Sequence, residues 1–167
     1  MKLPCNRATV LAVISFVFLL AATSCKKSNN SSSGSGISAT IGSKSWSAAA
    51  SATTGIYVSS EYQFQIGAAQ IVSGDTTAVI LYFGTPFTVG RPMNSDTTFV
   101  DINYIDSKTL DLYDGGNEAG WSILTVTSYD STNRTVGGTF NGVLYNLNGS
   151  DSLVISNGKF STGYTLN

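Results

Sequence analysis

Ala78-Val79-Ile80-Leu81-Tyr82-Phe83 is the stretch on which the fold turns. It is apolar at consecutive positions, so it has no solvent face. Asp75-Thr76-Thr77 precede it and Gly84 follows it, which leaves it too short for a buried helix. A run this short and this rich in β-formers predicts a central strand covered on both sides. Just upstream, Tyr62, Phe64 and Ile66 alternate with Gln63, Gln65 and Gly67. That period of two predicts a half-buried strand, with the first set inward and the glutamines toward solvent. Downstream, Trp121, Ile123, Thr125, Thr127 and Tyr129 alternate in the same way against Ser122 and Ser128.

Further strands are predicted at Ser38–Ile41, Lys44–Ala49, Gly55–Ser59, Thr98–Tyr104, Leu110–Tyr113, Thr135–Leu144 and Ser152–Phe160. Gly42-Ser43, Ser73-Gly74-Asp75, Asp114-Gly115-Gly116-Asn117, Asn148-Gly149-Ser150 and Asn157-Gly158 supply turns between them. The weak exception is a helical turn near Pro92 to Asp96. Many short strands with such punctuation predict one all-β domain over residues 37–167, an antiparallel β-sandwich. Gly137-Gly138 and Gly142 inside one strand predict bulges or sharp coiling, which suits a partly closed β-barrel as well.

The chain ahead of this domain reads differently. Lys2 and Arg7 make a positive start, Ala8 to Ala22 is almost wholly apolar, and Thr23-Ser24 lead to Cys25. The apolar run is about 15 residues, short of the ~20 a membrane-crossing helix needs. These three zones are the grammar of a secretory signal peptide, predicted over residues 1–24. Residues 26–36, KKSNNSSSGSG, contain nothing that could pack. As a flexible coil they would hold the domain roughly 17–20 Å from an anchor at Cys25, so 25–36 is read as tether. Lys26 and Lys27 would lie among headgroups, where each adds about 1 kcal/mol of attraction to anionic lipid.

Ala22-Thr23-Ser24-Cys25 resembles the lipobox of bacterial lipoproteins, although Ala22 and Ser24 stand where the commonest pattern has Leu and Gly or Ala. The resemblance implies lipid attachment at Cys25 and cleavage just before it. Ile37-Ser-Ala-Thr-Ile-Gly-Ser-Lys-Ser-Trp-Ser-Ala48, Val136-Gly-Gly-Thr-Phe140 and Leu153-Val-Ile-Ser-Asn-Gly-Lys-Phe160 resemble small Bacteroidetes lipoproteins built on an all-β domain of unknown function. That likeness implies an envelope protein and brings no catalytic residues with it. It also implies a side: surface lipoproteins of that group often carry acids after the cysteine, and Lys26-Lys27-Ser28-Asn29-Asn30 has none. The implied address is the periplasmic leaflet of the outer membrane, with the cell surface as the alternative.

Composition narrows the function. Of 167 residues, 42% are hydrophobic and only 11% charged, which describes a neutral polar surface over a real core. The domain's basic residues are Lys44, Arg91, Lys108, Arg134 and Lys159, too few and too dispersed to track phosphates, so nucleic acid is excluded as a partner. The chain has 2 cysteines and no histidine. Cys5 falls in the signal and Cys25 is the anchor, which excludes Ser-His-Asp and Cys-His catalysis and His/Cys zinc sites. No cofactor is expected.

Three weaker constellations remain. Asp111, Asp114 and Glu118 form the densest group of oxygen ligands, in reach of calcium chemistry, but their spacing misses the EF-hand pattern and a plain turn explains them. Trp46 and Trp121 could form a stacking platform for sugars, or could be core. Asp75-Thr76-Thr77, Asp96-Thr97-Thr98, Asp130-Ser131-Thr132 and Asp151-Ser152-Leu153 resemble the Asp-Ser/Thr acceptor of Bacteroidetes O-glycosylation, which would place sugar on Thr76, Thr97, Ser131 and Ser152. Asp-Ser and Asp-Thr are also ordinary turn pairs. The expectation is a non-enzymatic envelope lipoprotein, a structural or interaction module whose protein or glycan partner is unknown. The alternatives are a ligand- or glycan-binding accessory lipoprotein and a carboxylate-based hydrolase, the latter needing two acids on one cleft.

Overall fold

The computed structural model describes residues 35–116 and 120–167. Cys25 and the whole export segment therefore lie outside the described residues, as does Glu118. The first strand, β1 (Gly36–Ile41), begins where the Ser/Gly composition ends and turns through Gly42-Ser43 into β2 (Lys44–Ala49). Gly42 takes φ +59° there, the left-handed region a side chain disfavours. A single 3-10 turn at Ala50–Ala52 leads to β3 (Thr53–Val58), β4 (Gln63–Val72) and β5 (Asp75–Gly84). Then follow β6 (Pro92–Asn94), β7 (Val100–Asp106), β8 (Asp111–Asp114), β9 (Trp121–Asp130), β10 (Thr135–Asn146) and β11 (Ser152–Leu166). The expected helical turn near Pro92 is instead the short strand β6, paired with Thr125 to Ile123 of β9. Its Pro92 sits on the sheet edge, where the missing N–H costs no ladder bond.

The all-β expectation holds, and every predicted strand is present, Lys44–Ala49 with the same ends and the others with one or both ends shifted. The strands form two walls. One runs β2-β1-β11-β10-β9-β6 and the other β3-β4-β5-β7-β8. They are joined at two corners, because the long strands β10 and β11 each change partner along one edge. β11 pairs with β1 from Ile155 to Ser161 and then with β3 at Tyr164–Leu166. β10 pairs with β9 as far as Val143 and then with β8 at Tyr145–Asn146. The result closes a ring of 7 strands while keeping a sandwich's two inner faces. The β11–β3 corner is parallel, a departure from the purely antiparallel expectation.

Ala78 to Phe83 is the central strand of its wall. Val79, Leu81 and Phe83 enter the common core, and Ile80 is 0% exposed on the opposite face. Phe64 stacks on Phe83 with ring centroids 5.1 Å apart, and Phe83 meets Phe160 of the facing wall at 6.0 Å. Two facing assignments are corrected. Phe64 and Ile66 point inward as expected, but Tyr62 precedes the strand at φ +52° and is exposed. In β9 the inward set is Ser122, Leu124 and Val126, leaving Trp121 and Ile123 outside. Both alternating sets of that strand contain apolar residues, and the larger buried set wins. A register shift opposite Gly137/Gly138 then turns Tyr129 back toward Phe64 and Tyr164. The expected bulge is therefore real. A Cβ on Gly138 would overlap the Thr125 carbonyl and stand 2.8 Å from the Phe160 ring.

Candidate functional site

The two ends of the sandwich differ chemically. At one end Phe64, Phe83, Phe87, Tyr129 and Tyr164 plug the space between the walls, and Tyr164 Oη donates to Tyr129 Oη at 3.2 Å. At the other, the inward-facing positions turn polar. Thr77 of β5 lies opposite Asp106 of β7, Asp106 opposite Asp111 of β8, and Tyr104 opposite Tyr113. Pleating puts these on the inner face, in line with Val79 and Leu81. Tyr104, Asp106, Asp111 and Tyr113, together with Lys44 and Leu153, line an open cavity of about 360 Å³, the mouth between the β1–β2 and β7–β8 hairpins.

The mouth is built rather than loose. Trp46, 5% exposed, forms part of the core beneath it, and its indole N–H donates to Thr77 Oγ1 at 2.8 Å. The Tyr104 and Tyr113 rings sit 6.3 Å apart at 49°. Burial, then the nearby Asp106 carboxylate, raises the Tyr104 hydroxyl above its ordinary pKa. Tyr113 Oη donates to Asp151 Oδ2 at 2.8 Å, and that bond leads the causes that push it up to about 12. Both tyrosines therefore stay neutral donors at physiological pH. Asp106 is partly spoken for, since its Oδ1 accepts from the Lys108 N–H in the turn. The Lys108 ammonium reaches Asp75 at 3.2 Å, an exposed pair of small energetic weight.

A second cluster lies on the outer face of the same wall. Tyr82 is directly opposite Asp101, and in the next row Asn103 stands between Ile80 and Asp114. Asn103 Nδ2 donates to Asp101 Oδ2 at 2.7 Å, and the Gly116 N–H donates to Asp114 Oδ1 at 2.6 Å. Asp101 as a residue is half-buried, but its carboxyl end is almost wholly withdrawn from solvent, where it lies against the Asp114 carboxyl and the Gly116 backbone, and Oδ1 makes no well-formed hydrogen bond there. Burial first, and the Asp114 charge second, push the Asp101 carboxyl up to about 7. The Tyr82 hydroxyl is pushed up to about 12 by burial and then by these two carboxylates.

The sequence candidates separate accordingly. Asp111 and Asp114 sit on opposite faces of β8, so they cannot share one ion, and Glu118 is outside the described residues. Among the described residues no three His, Cys, Asp or Glu side chains converge on a metal position. Trp46 and Trp121 form no joint platform: Trp46 is buried, whereas Trp121 lies on the outer face beside Val143 and Val154. Thr97, Ser131 and Ser152 are exposed and Thr76 is half-buried, all near strand ends. Asp130 accepts from the Thr132 and Asn133 N–H groups, and Asp151 from that of Ser152, so these acids do turn work. The sequence reading missed Tyr104, Tyr113 and Asp101 as site residues. The hairpin register that pairs Asp106 with Asp111 would have brought the tyrosines together, had it been known. Comparisons with protein-family models, with curated proteins and with solved structures find no match for this chain.

Proposed function

We propose that this chain is a lipid-anchored envelope protein, held to a membrane through Cys25, whose β-domain works by binding rather than catalysis. The observation that carries the reading is the order Lys2/Arg7, the apolar run Ala8–Ala22, Ala22-Thr23-Ser24-Cys25, then a tether with no apolar residue. The first described strand begins at Gly36, where that Ser/Gly-rich stretch ends, which fits a spacer between lipid and domain. The experiment is metabolic labelling with a fatty acid in a suitable bacterium. Wild type should carry label and fractionate with membranes, while Cys25→Ser should lose label and be released. Unchanged labelling of Cys25→Ser refutes the anchor. The proposed face is periplasmic: protease added to intact cells should spare the domain and destroy it after lysis. Cleavage in intact cells assigns the domain to the surface instead.

A second reading, a ligand-binding accessory protein, is favoured by the mouth. Tyr104, Tyr113, Asp111 and Lys44 combine aromatic rings with donors and acceptors in a cavity of about 360 Å³, a combination suited to a small polyhydroxylated ligand such as a sugar. Tyr113→Ala should abolish any saccharide binding seen by titration calorimetry, and Trp121→Ala should not. The opposite result would move the site to the outer face.

A further inference from the structure

We propose that the outer face of the wall β2-β1-β11-β10-β9-β6 lies against an anionic lipid bilayer, an inference that rests on the anchor at Cys25. The two walls differ in charge. Among the described residues, the strands and flanking turns of this wall carry Lys44, Arg91, Arg134 and Lys159 against Asp130 and Asp151. The other wall carries Lys108 against Glu61, Asp75, Asp101, Asp106, Asp111 and Asp114, and Asp96 lies in the link from β6 to β7. A domain so divided turns its basic side to a negative surface. Lys159 stands out from the middle of the face, between Thr139 of β10 and Ser38 of β1, and Arg91 is exposed where the chain enters β6. Asp130 is the one acid within the six strands, and turn N–H groups already occupy it.

The same face has a place for each part of a phospholipid. At one end Trp121, Val143 and Val154 form a row across β9, β10 and β11, with Ile123 in the next row. Trp121 is 41% exposed and Val154 50%, so an indole and an isopropyl group meet solvent in one row. Tryptophan is favoured at the boundary between headgroups and acyl chains, where its ring is in apolar surroundings and its N–H is wet. At the other end the face sinks into an open depression of about 620 Å³, lined by Ser38, Ser47, Thr139 and Lys159 among others. Gly137 leaves its floor without a side chain. Hydroxyls around one ammonium suit a phosphate headgroup. The chain arrives on this side as well, because Gly36 borders the depression. The Trp121 row lies roughly 23 Å away, the length of strand from Ser161 to Val154. Residues 26–35 reach about 33–36 Å at most, enough for a lipid on Cys25 to lie beneath any part of the face. Anchoring makes docking intramolecular, at an effective concentration of order millimolar, so a small patch suffices. A second copy fits less well, because a two-fold pairing would set the depression against itself and the cations against one another.

The test uses the full chain, purified in detergent and reconstituted into phosphatidylcholine vesicles with or without phosphatidylglycerol, with plain or brominated acyl chains. The same preparation is assayed for fatty acid on Cys25. Brominated lipid should quench the emission of Trp121, more with phosphatidylglycerol than without it, and less at high salt. Trp121→Phe, which leaves only the buried Trp46, should abolish the quenching. Lys159→Gln should lower the ratio of docked to free domain about fivefold, the weight of one cation near such a surface. Lys108→Gln, on the other wall, should leave that ratio unchanged. A chain without fatty acid on Cys25 overturns the anchor and this inference with it. A labelled chain whose Trp121 is unquenched overturns the docking alone, and its sedimentation as a dimer would assign the face to a second copy instead. Equal losses from Lys159→Gln and Lys108→Gln overturn the orientation.

Discussion

Replacing Ile80 with Asp probes the feature most specific to this fold, a central strand buried on both faces. Ile80 is 0% exposed and points away from the main core, with Gly67 opposite it on β4 and Asn103 opposite it on β7. Removing the buried aliphatic group alone should cost about 2–5 kcal/mol, as large-to-small changes in well-packed sites do. The introduced carboxyl adds a second cost. A fully buried acid has its pKa raised by roughly 3–5 units, each worth about 1.4 kcal/mol once the pH exceeds the shifted value. Asp101 and Asp114 occupy the same face, with Asn103 between, so a third negative charge would meet two others. The sum at neutral pH is of order 6–10 kcal/mol, comparable with the whole stability of a domain this size. Ile80→Asp should therefore be unfolded or nearly so at about pH 7.5 and regain part of its stability near pH 4.5, where the carboxyl is neutral. Ile80→Val, losing one methylene, should cost only about 0.5–1.5 kcal/mol. Urea unfolding followed by tryptophan fluorescence at both pH values measures all three proteins. An Ile80→Asp protein within about 1 kcal/mol of Ile80→Val at neutral pH would refute burial of the outer face.

The remaining expectations are briefer. Asp101 has a folded pKa raised to about 7 from an ordinary 3.8, so the folded state holds a proton that the unfolded state has released. Stability should consequently fall as pH rises from about 4 to about 7 and level off above, and Asp101→Asn should flatten that slope and be the more stable protein at about pH 8. Trp46→Ala should cost about 3–5 kcal/mol and Trp121→Ala under about 1, with acrylamide quenching the fluorescence of Trp121 far more than that of Trp46. Equal quenching of the two indoles would contradict their placement. Gly138→Ala should destabilise measurably by thermal melting, because its Cβ would overlap the Thr125 carbonyl. A neutral effect there would mean that the β9–β10 register shift is not as described.

Periodicity carried the local architecture. The apolar run 78–83, the Phe64/Ile66 alternation and the Gly-bearing turns each encode a strand or its end through contacts within the strand's own length. What periodicity leaves undecided is facing where both alternating sets are apolar. Trp121/Ile123 and Leu124/Val126 compete in β9, and only the partners across the sandwich choose between them. Sequence also leaves open any pairing set by distant register. The corners β11–β3 and β8–β10 rest on three and two paired residues respectively, which no composition signal marks. The same reason hides the Asp101–Asp114 cluster. Nearness along the chain suggests Asp111 with Asp114, but pleating sends those two to opposite faces, while the β7–β8 hairpin lays Asp101 beside Asp114.

The double duty of β11 has a consequence for the timing of folding. This strand, Ser152–Leu166, holds β10 along one edge, and β1 and then β3 along the other. It is the last of the described strands to be synthesised, yet β1 and β3, among the first, have no second wall to join until it arrives. The hairpins β1–β2 and β3–β4–β5 can form early, but on their own they would leave apolar faces open. Assembly must wait for contacts that span almost the whole described chain, which places this domain among slow-closing, high-contact-order topologies. Until β11 emerges, the early hairpins keep their apolar faces uncovered, which makes the incomplete chain prone to association with other unfolded chains.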